Sequence, residues 1–137
     1  FLFNTPLFVN DLKSGFTTRA CIFGTLHTEG TLVLMELLEK SGLKTLVGKV
    51  NMDRNAPDYL CEASAEKSLE DTESWIKASE RFTGTKPILT PRFIPSCTDE
   101  LMAGLGELSK KYDLPVQSHL SENPLGQKAL SGIQLLW

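Results

Sequence analysis

Short apolar runs recur at regular intervals along the chain. Residues 17–24 are β-branched or apolar and lie between glycines, which predicts a buried strand. Similar runs predict further strands at 44–52, 86–93 and 114–119. Pro91 should mark the end of the third strand, because proline cannot donate a hydrogen bond to a neighbouring strand.

Between these runs, apolar residues recur at helical spacing. Residues 32–40 predict a helix that Gly42 is placed to end. Within 64–82, Leu69, Trp75 and Ile76 can share one face of a second helix. Residues 98–112 predict a third helix, with Thr98 as its N-cap and acidic residues in the first turn.

The alternation of strands and helices predicts βαβ units and an α/β fold with a parallel sheet. About four strands and three helices fit half of a (β/α)8 barrel or a small doubly wound sheet. In both architectures, binding and catalytic residues gather at the carboxyl ends of the strands. The polar residues of interest in this sequence occupy such ends.

Composition narrows the class of function. The 137 residues are enough for one domain with a core, and 14 basic against 17 acidic residues give a net charge of -3. That balance favours neither nucleic acid nor an anionic membrane as a partner, and no apolar run approaches the roughly 18–20 residues of a membrane span. The three cysteines form no CxxC pair, which favours a reducing, cytoplasmic compartment. Cys21 is expected to be a small buried residue.

The segment 118–123 carries the strongest candidate chemistry. His119 leaves the last predicted strand, where a neutral imidazole can coordinate a metal. Glu122 can turn back over the same site and move protons for a metal-bound water. The alternative is a histidine hydrogen-bonded to backbone beside a solvated glutamate, since one His and one Glu make a weak motif.

Arg92 and Phe93 lie at the end of the third predicted strand. The forked donors of an arginine could hold a planar, oxygen-bearing ligand, and a phenylalanine could stack on its ring. The alternative is a surface arginine beside a core phenylalanine.

Other polar residues are expected to be structural. His27 follows the first predicted strand and could face the mouth of the barrel, but a structural role is expected because no second ligand lies beside it. Lys49 could be a buried charge near the site or a strand-end lysine, and we expect the latter. Asp53, Asp58 and Glu62 lack the spacing of a calcium loop, so their carboxylates are expected to be solvated.

Three sequence blocks together resemble one enzyme family. They are VGKVNMD at 47–53, TPRF at 90–93 with SC at 96–97, and QSHLSEN at 117–123. This combination, in this order, resembles the guanine deaminases, and the stretch that ends at His27 is similar to the preceding unit of the same family. The resemblance covers residues 11–123.

The resemblance implies a zinc-dependent hydrolase on a (β/α)8 barrel that converts guanine to xanthine and ammonia. In this family pattern His119 matches a metal ligand, and Glu122 matches a glutamate that shuttles the water proton to the ring and the leaving amine. Arg92 and Phe93 match residues that contact the purine. Attack by a metal-bound hydroxide on the ring carbon that bears the amino group is the implied chemistry. A homodimer is implied for the full-length form.

The chain departs from the family pattern in its metal ligands. The family's His-x-His pair is absent, since the only histidines are His27 and His119, and a later histidine and aspartate are also missing. A catalytic zinc normally takes three protein ligands, and one is matched. We therefore expect residues 1–137 to be a single partial barrel domain of a longer enzyme, with an atypical tail at 124–137, and the chain alone to be inactive. The alternatives are a non-catalytic truncated half barrel and an amidohydrolase that acts on another heterocycle.

Overall fold

A computed structural model describes residues 4–120 of the chain. The helices are α1 (Thr5–Ser14), α2 (Thr28–Ser41), α3 (Ala65–Ser79) and α4 (Asp99–Tyr112). The strands are β1 (Arg19–Phe23), β2 (Lys44–Gly48), β3 (Val50–Asn51), β4 (Thr85–Pro87) and β5 (Thr90–Pro91). Short 3-10 turns at Asp58–Leu60 and Ile94–Ser96 interrupt two of the connecting loops.

Every strand pair in residues 4–120 is parallel, as the alternating pattern predicts. β1 pairs with β2, and β2 pairs with β4. β3 continues the line of β2 after Lys49 and pairs with β5. Single parallel bridges join Leu89 to Val116 and Phe93 to His119, so the segment that ends at His119 lies beside β5. The carboxyl ends of all these segments therefore meet at one edge.

Two predicted strands are divided in the structure. The strand predicted at 44–52 is interrupted at Lys49, next to a point where Gly48 packs directly against Thr90. The strand predicted at 86–93 is divided at Ile88 and Leu89, whose backbone N–H groups donate to the carbonyls of Val47 and Pro115 on two different neighbouring segments. The last predicted strand, 114–119, contributes only the two single bridges.

Local sequence signals set the helix ends. Gly42 ends α2 in the left-handed region, at φ +79°, where glycine avoids the strain of a Cβ. The Thr98 side chain caps α4 by accepting a hydrogen bond from the backbone N–H of Leu101. Both predictions are confirmed. Ser64 caps α3 in the same way, through the backbone N–H of Lys67.

The hydrophobic core lies between α2, α3 and α4 and one face of the sheet. Burial of each large apolar side chain stabilises the fold by about 1.5–3 kcal/mol. Its most buried members include Leu34, Met35, Leu38, Val47, Trp75, Ile76, Leu89, Leu101 and Leu105. No helix within residues 4–120 is long and apolar enough to cross a membrane.

Cys21 corrects one prediction, because it is exposed and not buried. Strand side chains alternate between the two faces of a sheet, so Cys21 lies on the face opposite to that of Ile22, which packs against the core. Among the described residues the helices cover only the face of Ile22. The Cys21 thiol instead donates a hydrogen bond to Oε1 of Gln117 at 2.9 Å.

Candidate active site

The carboxyl ends of the strands surround an open cleft of about 410 Å³. Because parallel strands end at the same edge of the sheet, residues far apart in sequence come together there. This strand-end cleft is lined by Phe23, Gly24, Thr25, Leu26, His27, Val50, Met52, Leu60, Arg92 and His119. Two residues singled out from the sequence, Arg92 and His119, therefore share one cavity.

A larger open cleft of about 730 Å³ lies on the other side of residues 25–27, between the amino ends of α2 and α3. Its walls contain neither Arg92 nor His119. Cavity size alone does not identify a functional site, whereas convergent polar groups at strand ends do. We therefore take the strand-end cleft as the candidate site.

The His119 imidazole is held from two sides. Its Nδ1 lies 3.0 Å from the carbonyl oxygen of Arg92, and its ring lies against the ring of Phe23 with centroids 4.3 Å apart. A carbonyl oxygen only accepts hydrogen bonds, so Nδ1 carries the proton in this contact. In the neutral ring, Nε2 then keeps its lone pair, which is the form that binds metals.

Arg92 presents its guanidinium group to the strand-end cleft. Its backbone N–H donates to the carbonyl of Asn51 at 3.0 Å, and Nη1 lies 3.6 Å from the sulfur of Met52. Arg92 makes no ion pair with any residue in 4–120. An exposed guanidinium without a carboxylate partner keeps its forked donors available for a planar ligand.

The other two predicted site residues have different positions. Phe93 is half-buried and bridges to His119, but it is not among the residues that line the strand-end cleft. Glu122 lies outside the described residues. The predicted roles of both residues, like those of His119 and Arg92, stay predictions at this point.

His27 also reaches the strand-end cleft. It occupies the N-cap position of α2, and its carbonyl oxygen accepts hydrogen bonds from the backbone N–H and the hydroxyl of Thr31. Its backbone thus begins the helix while its exposed side chain faces both clefts. The predicted structural role of this histidine stays a prediction.

Lys49 and Glu62 overturn the predictions made for them. Lys49 is buried, and its Nζ lies 2.5 Å from Oε1 of Glu62, whose side chain is also buried. The sequence pattern could not reveal this pair, because the two residues lie on different segments and each looks like an ordinary surface charge. A buried lysine must be paired with an acid, so an apolar sequence around Lys49 was the only available signal.

The other two acidic residues of this loop, Asp53 and Asp58, lie in different environments. Asp58 is exposed, as predicted. Asp53 is not simply solvated, because its carboxylate accepts hydrogen bonds from the backbone N–H of Thr98 at 2.8 Å and from the Thr98 hydroxyl at 2.5 Å. This contact ties the loop after β3 to the start of α4.

The described residues 4–120 supply only some of the ligands that a metal site needs. His119 offers a lone pair on Nε2, which fits one ligand position. No group of three or more His, Cys, Asp or Glu side chains among the described residues is placed to hold a metal ion. The nearby Cys97 thiol is buried and donates to the Asn51 carbonyl, and burial raises its pKa, which keeps it in the protonated form that binds metals poorly. Any further ligands would have to come from outside this part of the chain.

Comparison with known proteins agrees with this arrangement of parallel strands and strand-end residues. The sequence pattern of the amidohydrolase family matches residues 9–134. The chain belongs to the amidohydrolase family. It is 46% identical to rat (Rattus norvegicus) guanine deaminase over 116 residues, which cover 82% of this chain and 25% of the rat protein. The chain therefore spans about a quarter of the length of this relative.

Solved structures share the fold of this chain. The chain is similar to guanine deaminase from C. acetobutylicum with guanine bound in its active site, with a TM-score of 0.85 and 48% identity over 93% of this chain and 32% of that one. Atrazine chlorohydrolase from Arthrobacter aurescens, complexed with zinc, gives a TM-score of 0.72 at 17% identity over 91% of this chain and 30% of that one. The latter likeness shows the fold alone. The resemblance to guanine deaminases is confirmed, and the parallel sheet with helices corresponds to part of a TIM-barrel-like fold.

Proposed function

We propose that the protein to which this chain belongs hydrolyses guanine to xanthine and ammonia. In this reaction the bond between the ring carbon and the exocyclic nitrogen breaks, water supplies the new oxygen, and the nitrogen leaves as ammonia. The observation that carries the proposal is the convergence of His119 and Arg92 on one strand-end cleft, in a chain similar to a guanine deaminase with bound guanine.

Arg92 is proposed to bind the purine. Guanine carries two adjacent acceptors, O6 and N7, and a guanidinium group can donate to both at once. Arg92 suits this role because its donors face the strand-end cleft and no carboxylate in residues 4–120 pairs with them. Phe93 is proposed to contact the purine ring as well, although its support comes from the family resemblance and from its place beside His119.

His119 is proposed as a metal ligand through Nε2, with zinc as the metal. Zinc, when bound, lowers the pKa of water and so supplies a nucleophile at neutral pH. The Arg92 carbonyl orients the imidazole for this role by holding Nδ1–H, which is the usual arrangement around a metal-binding histidine. Glu122 is proposed to move the two protons of water, one to a ring nitrogen and the other to the leaving nitrogen.

The proposal extends to the architecture and setting of the protein. Residues 1–137 are proposed as about four strand-helix units of an eight-unit barrel, forming one partial domain that resembles the family over 11–123 and has an atypical tail at 124–137. A homodimer is proposed for the full-length form. The three unpaired cysteines support a cytoplasmic location.

A segment exchange tests the proposed reaction. Residues 11–123 would replace the equivalent segment of the C. acetobutylicum guanine deaminase, which supplies the rest of the barrel. We expect zinc-dependent release of ammonia from guanine, with the absorbance change of xanthine formation, and loss of both in the same protein with His119→Ala. A folded, zinc-loaded chimera that leaves guanine intact would contradict the proposal.

The segment-exchange protein and the 137-residue chain also test two alternatives. Turnover of an amino- or chloro-substituted triazine in place of guanine would indicate an amidohydrolase of different specificity. The 137-residue chain alone is expected to show no turnover, because its described residues offer too few metal ligands. Ammonia release from guanine by that chain alone would contradict this expectation.

A further inference from the structure

Lys49 is buried where β2 gives way to β3. Its side chain is 1% exposed and pairs with Glu62, whose side chain is 6% exposed. Charges removed from water are tolerated only when they are paired and their remaining polar atoms are hydrogen-bonded. Glu62 meets this condition, because its second oxygen accepts from the Met52 backbone N–H at 3.1 Å and from the Ser68 hydroxyl at 2.6 Å.

Glu62 also closes the loop 52–62. Its backbone N–H donates to the Met52 carbonyl at 2.9 Å, while its side chain accepts from the Met52 N–H. The two ends of the loop are therefore joined by two hydrogen bonds, and one of them depends on the carboxylate. Lys49 neutralises that carboxylate where both side chains are largely removed from water.

The loop 52–62 forms one wall of the strand-end cleft through Met52 and Leu60. The Met52 sulfur lies 3.6 Å from Nη1 of Arg92, and the preceding residue, Asn51, accepts a hydrogen bond from the Arg92 backbone. The place of the guanidinium group therefore depends on where Met52 is held.

We propose that Lys49 and Glu62 are positioning residues, which together form a latch that closes the loop 52–62 and sets Arg92 in the strand-end cleft. Neither residue lines that cleft, so both act through Met52. The part of the proposal that concerns a ligand rests on the proposed function, in which Arg92 binds a purine. Closure of the loop does not depend on that function.

Trypsin cleavage after Arg54 measures closure of the loop in the 137-residue chain. Arg54 is exposed within the loop, and Arg81, exposed after α3, serves as the internal reference. We expect Lys49→Met to increase the rate of cleavage after Arg54 by about tenfold or more relative to the rate after Arg81. The reason is that local opening of the loop exposes the peptide bond after Arg54 selectively. In the double variant Lys49→Met/Glu62→Gln, the ratio of the two cleavage rates should lie within about twofold of its value in the unsubstituted chain. A neutral amide can keep hydrogen bonds of the carboxylate without leaving an unpaired buried charge.

Leu105→Ala is the control for a global loss of stability, because it removes a core side chain in α4. This control should increase cleavage after Arg54 and Arg81 by the same factor. The proposal would be contradicted if Lys49→Met accelerated cleavage equally at both sites, or if the double variant did not restore the original ratio. If Lys49→Met does not fold, Ser68→Ala serves instead: it removes the hydroxyl that donates to Glu62 and accepts from Nδ2 of Asn51, and Asn51 keeps its second bond to Thr72. This variant should still give a smaller selective acceleration of cleavage after Arg54, and its absence would contradict the proposal equally.

The side chain of Arg92 provides a second readout. Its Nε–H resonance, assigned by its loss in Arg92→Lys, should shift in Lys49→Met and return in Lys49→Met/Glu62→Gln. An unchanged resonance would overturn the positioning role. Addition of guanine to the segment-exchange protein separates the two proposals: if guanine leaves the Arg92 resonance unchanged there while both loop readouts behave as expected, the proposed function fails and the positioning role of Lys49 and Glu62 stands.

Discussion

The ring of Phe23 lies against the imidazole of His119, with centroids 4.3 Å apart and an angle of 34° between the planes. The two residues lie 96 positions apart, at the end of β1 and in the segment beside β5. The Arg92 carbonyl holds Nδ1 of the same imidazole. The orientation of His119 is therefore set by two contacts that both cross between strands.

Removal of the Phe23 ring should loosen His119. Phe23→Ala is expected to lower the free energy of unfolding by at least about 1 kcal/mol, because it loses a paired aromatic contact in addition to buried area. The ring-proton resonances of His119 should move, since the neighbouring ring current disappears. Phe16→Ala is the control, because Phe16 is fully exposed and its loss should change stability by no more than about 0.5 kcal/mol. Unmoved His119 resonances would contradict the contact.

Replacement of Arg92 tests its role in binding guanine. In the segment-exchange protein, Arg92→Ala should weaken guanine binding about 10- to 100-fold, since charge-assisted hydrogen bonds contribute about 1.5–3 kcal/mol. Arg81→Ala makes the same change of charge outside the strand-end cleft and outside the loop 52–62, and it should leave the KM for guanine unaltered. Steady-state kinetics with guanine give the comparison, and identical constants for Arg92→Ala and the parent would overturn the assignment.

Gly48 and Gly106 should respond in opposite directions to the same substitution. A Cβ at Gly48 would lie 1.6 Å from Oγ1 of Thr90 and 2.7 Å from the carbonyl of Ile88, so Gly48→Ala should destabilise the fold by about 1–3 kcal/mol or more. A Cβ at Gly106, inside α4, meets no atom within 4 Å in the described structure, and Gly106→Ala should stabilise by about 0.4–1 kcal/mol. Urea denaturation of both variants gives the two signs, and a neutral Gly48→Ala would contradict the close packing of β2 against β5.

Glu39 links the end of α2 to the start of β4 and should make stability depend on pH. Hydrogen bonds from the backbone N–H of Gly84, and then from the hydroxyl and N–H of Thr83 and the N–H of Thr85, lower the pKa of Glu39 from 4.5 to about 2. A lowered pKa in the folded state contributes stability above the unfolded value, and that contribution is lost as the pH falls from about 4.5 to about 2.

Glu39→Gln should therefore be less stable than the parent at pH 7, and the difference should shrink as the pH approaches 2. Thermal unfolding across this range measures both effects. Glu107→Gln, on the exposed side of α4, is the matched control and should follow the parent throughout. A constant difference between Glu39→Gln and the parent at all pH values would contradict the assigned cause.

The amino-acid sequence was enough to predict the alternation of strands and helices, the caps at Gly42 and Thr98, and the placement of Arg92 and His119 at strand ends. These features depend on neighbours within a few residues, so periodicity and capping chemistry are enough to predict them. The family also followed from the sequence, because VGKVNMD, TPRF and QSHLSEN occur together in order.

Contacts between distant polar groups depend on the packing of the whole fold. The pairing of Lys49 with Glu62, the contact between Phe23 and His119 and the exposure of Cys21 all depend on how separate segments pack. Periodicity states which side of an element is apolar, but it does not state which distant residue covers that side. A charge that looks solvated in sequence becomes buried only when the fold brings it a partner, since an unpaired charge cannot leave water at acceptable free energy.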